Sequence, residues 1–395
     1  VTQHGTTILR RGSFGARGNA AASLDAMLLG SAEWGACACR QMAFGEFGEA
    51  DDGPVSPARP PSNREFLAIV ARRAMRSAFD LYRRFFLLEY WNVGIIDAPV
   101  SRVVASGHPT DVHWLPRPPR HCFRADPFAA EDRSDVLMLE EYSYHLGRGW
   151  IAALPVHADH AVPRPIVAFA GNLHRSYPYV FAADGAIFCV PECAEDRSVA
   201  LYRAVSFPDE WRRVGTLIED FPALDSTIFA HDGRWWLFCT SAAAGCEHKL
   251  YAWYSESVTG PWRPHRLNPL KCDITSARPA GRPFLLNGTL CRPAQDCSAG
   301  YGSAITLNSV TALTPTCFEE RIIGRIEPLP KSEFSDGIHT ICAAGDKTIV
   351  DGKRLSFDAR AAFFKLKGRR LARRIGGTAR DAAAIGAETF ARVSR

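Results

Sequence analysis

Carboxylates, an arginine and a histidine recur at equivalent places along this chain. Asp126 stands in Arg124-Ala125-Asp126-Pro127-Phe128, Tyr177 in Ser176-Tyr177-Pro178-Tyr179, and Asp225 in Leu224-Asp225-Ser226-Thr227. Arg278 stands in Ala277-Arg278-Pro279-Ala280-Gly281, and His339 in Gly337-Ile338-His339-Thr340. Each opens a short apolar run. A second set closes the run that follows: Glu140 and Glu141, then Glu192, then Arg292 with Gln295 and Asp296. In a hairpin, the head of one strand and the end of the next lie side by side, so both sets are expected at one pocket. Several carboxylates beside arginine and histidine suit glycosidic-bond chemistry. One carboxylate stays ionised as base or nucleophile, and another is kept protonated to assist the leaving oxygen.

On that scheme Asp126 is the base or nucleophile, Glu192 the acid and Asp225 the orienting group. Glu192 lies between Pro191 and Cys193, an apolar setting that favours the protonated form. Arg278, Arg292 and His339 would grip an anionic or polar part of the ligand. Glu141, Tyr177, Gln295 and Asp296 complete the expected binding set. Strand faces alternate, so only one of Glu140 and Glu141 can face the pocket; Glu141 is taken as that residue. The same equipment also serves a non-catalytic glycan- or glycolipid-binding module. An Asp at a strand head can simply cap a turn, and Trp114, Trp235 and Trp236 read as packing residues.

The elements that must position these residues are hairpins. The second, third and fourth phrases run into Asp184-Gly185, Asp232-Gly233 and Asn287-Gly288 before another apolar strand. Such dipeptides favour type I′ turns, whose central residues need positive φ. The heads recur at intervals of about fifty residues, the length of one four-stranded propeller blade. The expected fold is therefore all-β: a five-bladed β-propeller over residues 90–362. Trp91 to Ile96 is expected to supply a strand to the last blade and so close the ring. Residues 1–62, rich in Gly, Ala, Ser and Pro, read as irregular. Residues 63–89 read as an amphipathic helix, with Phe66, Ile69, Val70, Phe79, Tyr82 and Phe86 on one broad face and arginines opposite. Residues 363–395 form a basic tail.

Composition narrows the partners. The chain has 395 residues and a formal net charge of +5, and its basic residues crowd Arg64 to Arg84 and Lys365 to Arg374, outside the propeller. Without an aromatic stacking surface among them, nucleic acid is not expected as a partner. The expected ligand is a carbohydrate or sugar phosphate, with peripheral membrane contact through residues 63–89 as a further expectation. No secretory leader is read in the first residues. The 12 cysteines lie scattered in apolar strands, a pattern expected of reduced thiols in a cytoplasmic protein. No metal site and no cofactor are expected.

These phrases resemble two families. The heads at Asp126, Tyr177, Asp225 and His339 resemble the five-bladed glycosidases of the family 43 type. That resemblance implies Asp126 as general base and Asp225 as the orienting carboxylate. The acid of that family sits in a blade-four phrase, where this chain has Arg278, and an arginine cannot donate its proton at physiological pH. A working acid must then come from a second-strand end. A fuller resemblance is to the N-terminal propeller of glucosamine inositolphosphorylceramide transferases and their bacterial relatives. It is carried by Trp91-Asn92-Val93-Gly94, Ser176-Tyr177-Pro178, Val190-Pro191-Glu192, Asp232-Gly233-Arg234-Trp235-Trp236, Ala277-Arg278-Pro279-Ala280-Gly281 and Arg292-Pro293-Ala294-Gln295-Asp296-Cys297. This resemblance implies a role in the assembly of cell-surface glycans or glycolipids.

Overall fold

The computed structural model describes residues 11–15, 20–44, 59–131, 133–156, 163–169, 171–243 and 245–366. Their strands form five sheets. Sheet I contains Cys122–Ala130, Arg133–Ser143, Arg148–Pro155 and Arg164–Pro165. Sheet II contains Ser176–Ala183, Ala186–Glu192, Val199–Ser206 and Glu210–Ile218. Sheet III is built on Ala223–His231, Arg234–Ser241 and Lys249–Ser255, and sheet IV on Phe284–Leu286, Thr289–Asp296, Ala304–Leu313 and Phe318–Ile326. Within each, strands follow one another as antiparallel neighbours.

Sheet V breaks that order in the way the sequence suggested. Ile341–Ala344 and Lys347–Phe357 come from the end of the chain, and Leu87–Ile96 pairs with the latter from Leu87↔Phe357 to Ile96↔Thr348. Sequence ends separated by some 250 residues are thus joined in one sheet, covering an edge that would otherwise be open. Apolar clusters link the sheets in cyclic order. One cluster runs through sheets I, II and III, another joins III to IV through Phe238 and Val310, a third joins IV to V through Ile305 and Val350, and a fourth joins V to I through Ile349 and Leu137.

The turn signals act as their chemistry requires. Asp184-Gly185, Asp232-Gly233 and Asn287-Gly288 all hold positive φ at both residues. More telling, Asp126, Tyr177 and Asp225 have φ of 53°, 43° and 53°, each at a register shift in its first strand. A bulge with a left-handed residue re-aims a side chain out of the alternating pattern. The three equivalent heads are strained in the same way.

Residues 20–44 differ from the irregular segment read for 1–62. Helices α1 (Ala20–Ser31) and α2 (Trp34–Phe44) occupy them, and Gly12–Ser13 adds a parallel edge pair to Lys271–Asp273 in sheet III. Alanine explains the difference, because the residue that made the composition look simple is also the best helix former. Docking does the rest: Cys37 is fully buried with its thiol facing the Leu267 and Asn268 carbonyls. Helix α3 (Asn63–Phe86) begins at a capping box, Ser62 Oγ accepting from the Glu65 N–H and Glu65 accepting from the Ser62 N–H at 2.7 Å. It runs straight into the strand at Leu87. Residues 1–10, 16–19 and 45–58 and the basic tail beyond Leu366 lie outside the described residues.

Candidate functional site

The heads of the first strands and the ends of the second strands converge on a cavity of about 200 Å³. Asp126, Glu140, Ser176, Glu192, Asp225 and Arg278 form its buried floor, and Phe123, Tyr142, His174 and Tyr301 its half-buried wall. The register explains the convergence. Ala125, next to Asp126, pairs with Glu140, and Ser176, next to Tyr177, pairs with Glu192.

Asp126 is held as an anion. Thr340 Oγ1 donates to its Oδ1 at 3.0 Å, the Tyr177 N–H to its Oδ2 at 3.3 Å, and His339 Nε2 lies 3.2 Å from Oδ1. Burial by itself would raise its pKa, but His339 and these donors outweigh burial and bring it below the ordinary value. His339 is fixed from the other side by Asp351, Nδ1 to Oδ2 2.7 Å, and is covered by the Trp91 ring at 4.0 Å between centroids. Burial works against its charge, yet Asp351 and Asp126 together raise its pKa to about 10. Ligand atoms of Asp126, His339 and Asp351 lie within 4.8 Å of one another, a spacing compatible with a metal ion. The surrounding groups argue for an imidazolium instead. The N–H groups of Asp126, His339 and Thr340 and the Thr340 hydroxyl all donate into the two carboxylates.

Two other carboxyls are pushed the opposite way. Burial, then the Asp225 charge, lifts Glu192 to about 8 against the pull of Arg278. Its oxygens are both engaged, Oε1 by the Ser176 hydroxyl at 2.9 Å and Oε2 by the Asp225 N–H at 2.7 Å. Glu140 is raised well above its ordinary value, by burial first and then by Asp126 and Glu192. Its buried Oε1 accepts no hydrogen bond. Gly149 makes the room for it, since a Cβ there would meet that oxygen at 2.1 Å. The Gly149 N–H also donates to His174 Nδ1 at 2.8 Å. Burial lowers the His174 pKa to about 4. Neutral and accepting at Nδ1, His174 carries its proton on Nε2, 3.8 Å from Glu140 Oε1.

Arg278 lines the cavity, but its charge is already committed. Nε contacts Asp225 Oδ2 at 2.5 Å, Nη2 contacts Oδ1 at 3.4 Å, and the guanidinium lies over the Tyr301 ring. Gln295 Nε2 adds 3.0 Å to Asp225 Oδ2. Tyr177, expected in the binding set, instead braces the floor, its hydroxyl meeting Thr227 at 2.9 Å and the Gly281 N–H at 2.9 Å. Gln295 and His339 likewise stand behind the cavity-lining groups.

Three expected residues lie elsewhere, for one reason. Successive strand residues face opposite sides. Glu140 takes the cavity face, so Glu141 faces away, paired in register with Arg124. Gln295 takes the inner face of its strand, so Arg292 and Asp296 take the other. Arg292 donates to Glu320 at 2.6 and 2.8 Å, and Asp296 pairs with Arg325. Phe123, Tyr142, His174, Ser176 and Tyr301 line the cavity without having been expected there from the sequence. Ser176 alone had a signal, as the neighbour of the Tyr177 head.

The model of the family described as glucosamine inositolphosphorylceramide transferase 1, N-terminal, matches residues 120–332, more than half of the chain. The chain belongs to this family. The matched stretch holds every cavity-lining residue and stops short of His339 and Asp351. Among curated relatives, the glucosamine inositolphosphorylceramide transferase 1 of Oryza sativa subsp. japonica is 41% identical over 152 residues, covering 37% of this chain and 20% of that protein. The protein of the same name from Arabidopsis thaliana is 35% identical over 205 residues, covering 50% of this chain and 27% of its own length. The chain thus spans only about a fifth to a quarter of these relatives. Among solved structures, an exo-β-1,3-galactanase from Clostridium thermocellum aligns with TM-score 0.41 and 12% identity over 61% of this chain and 56% of that one. An α-L-arabinofuranosidase from Lactobacillus brevis aligns with TM-score 0.38 and 13% identity over 55% and 78%.

Proposed function

We propose that the five sheets are the blades of a five-bladed β-propeller, and that its axial cavity cleaves or transfers a glycosyl unit in surface-glycan or glycolipid assembly. The cyclic order of the apolar clusters and the shared strain at Asp126, Tyr177 and Asp225 support the first part. One observation carries the second: a single small cavity holds a carboxylate kept ionised beside carboxyls kept protonated. That division is what acid–base glycosyl chemistry needs at neutral pH.

In this reading Asp126 takes the proton of the incoming hydroxyl, from water or an acceptor sugar. Glu140 protonates the departing oxygen. Glu192 has a raised pKa as the sequence suggested, but both of its oxygens are held by protein donors, whereas Glu140 Oε1 is unengaged. Glu192 therefore shapes the floor, fixed by Ser176 and the Asp225 N–H, while burial and the Asp126 charge keep Glu140 protonated. Asp225, clamped by Arg278 and Gln295, orients Glu192 through its own N–H. Arg278 shapes the floor and balances Asp225; its charge is committed to that pair.

The test is turnover of glycosides and nucleotide sugars by the purified protein, with Glu140→Gln and Asp126→Asn alongside. Turnover lost in both variants, with ligand affinity kept, is the expected result. A sugar ligand bound at the cavity without turnover in the wild type would instead favour the binding-module reading.

A further inference from the structure

Apart from Arg64 in its first turn, helix α3 carries one apolar half-cylinder, unburied like the rest of the helix. At about 100° per residue, Val70, Leu81, Leu67, Phe85, Met75 and Phe79 fall within one half of its circumference. All six are exposed, and none of the helix's 24 residues is buried. Phe66 and Ile69 fall in the other half, a narrower grouping than periodicity alone suggested. The helix carries six arginines against Glu65 and Asp80, and Arg72, Arg76 and Arg84 are exposed on the polar half.

The C-terminal end of the helix is tied to the propeller. Arg83 pairs with Glu89, and Lys365 Nζ donates to the Arg83 carbonyl at 2.8 Å. Phe86 stacks on Phe357 with centroids 6.0 Å apart. Exposed Phe85, Phe86, Phe357, Phe363 and Leu366 extend the apolar surface at this end. Directly after Leu366 the sequence adds Lys367, Arg369, Arg370, Arg373 and Arg374. Arg83 also abuts Gly300, where a Cβ would come within 3.1 Å of its Nη1, and the next residue is the cavity-wall Tyr301.

We propose that α3 lies flat on an anionic lipid bilayer, its apolar half among the acyl chains and its arginines at the headgroups, holding the cavity wall beside the membrane surface. Three observations select that occupant over a protein partner. A partner groove would take a narrow stripe, whereas half the helix is apolar. Arginines flank that half, as an anionic interface demands. The aromatic residues gather at the end fixed to the domain, where a further basic run follows in the sequence. No described helix is long and apolar enough to cross a membrane, in keeping with a helix lying on the surface. The inference does not depend on the chemistry of the cavity.

Co-sedimentation of the full chain with phosphatidylcholine vesicles, with and without phosphatidylglycerol, tests it. The wild type should bind only the anionic vesicles and lose most of that binding in high salt. Leu81→Asp and Phe85→Asp should each weaken binding by roughly tenfold or more, and Arg72→Glu/Arg76→Glu should abolish it. These positions are exposed, so the near-ultraviolet circular dichroism and any sugar affinity of the cavity should not change. Three results would overturn the proposal: no vesicle binding by the wild type, binding indifferent to Leu81→Asp, or a dimer in light scattering that Leu81→Asp dissociates without any vesicle binding.

Discussion

Two buried clusters of charge, one around Glu320 and one at the cavity, behave in opposite ways. Around Glu320, the cations and carboxyls match. Arg292 and Lys271 face Glu320 and Asp273, with contacts of 2.6 Å from Arg292 and 2.7 Å from Lys271 to Glu320 Oε1. Burial would raise the Glu320 pKa, but Arg292 and Lys271 outweigh it and hold the carboxyl below its ordinary value. In the cavity floor and directly behind it, Asp126, Glu140, Glu192, Asp225 and Asp351 outnumber Arg278 and His339. There the ions cannot all pair, and the excess carboxyls keep their protons. Comparable burial therefore gives an ion-paired lock where charge balances and carboxyls that keep their protons where it does not.

The largest effect should come from removing the poised acid. Glu140→Gln is expected to lower turnover by about 100- to 10,000-fold with ligand affinity nearly unchanged, read by steady-state kinetics and calorimetry. The matching change in the balanced cluster, Arg292→Met, should do the reverse. It removes two hydrogen bonds to Glu320 and leaves Lys271 as the remaining cation at 2.7 Å, and should cost about 1–3 kcal/mol in urea unfolding, with turnover per folded molecule intact. Equal loss of turnover in both variants would erase the distinction.

The pH dependence of stability sharpens the same contrast. Glu192 titrates at about 8 when folded against an ordinary 4.5, so the folded protein binds the extra proton in between and loses stability as pH rises across that window. His339 acts in the same direction, its stabilisation complete below about 6.5 and lost as pH climbs through about 10. Glu320 has the opposite sign, its stabilisation present above 4.5 and lost in acid. Urea unfolding at several pH values should show Glu192→Gln flattening the alkaline slope and Glu320→Gln the acid one. His339→Asn should raise the Asp126 pKa by about one to three units, visible as an upward shift of the acid limb of turnover.

The smallest effect expected is from Ser176→Ala. It removes a bond that favours the Glu192 anion, so carboxyl nuclear resonance should show a further rise in that pKa of less than about one unit. A fall would mean that Ser176 accepts from a protonated Glu192 rather than donating to it.

The sequence by itself determined whatever depends on neighbours along the chain. Asp-Gly and Asn-Gly set the hairpins, Ser62 and Glu65 set the start of α3, and the repeated heads mark Asp126, Tyr177 and Asp225 as equivalent. Only the tertiary structure decided which face of each strand turns to the axis. Glu140 and Glu141 are one residue apart, as alike in sequence as two positions can be, and the pleat sends them to opposite environments. Arg292 and Gln295 are divided by the same parity. His339 looked like a ligand-binding group because its partner Asp351 carries no motif and is supplied by an adjacent strand. The raised and lowered pKa values belong to this second class as well, since they arise from burial and from charges on sheets distant in sequence that meet only in the folded chain.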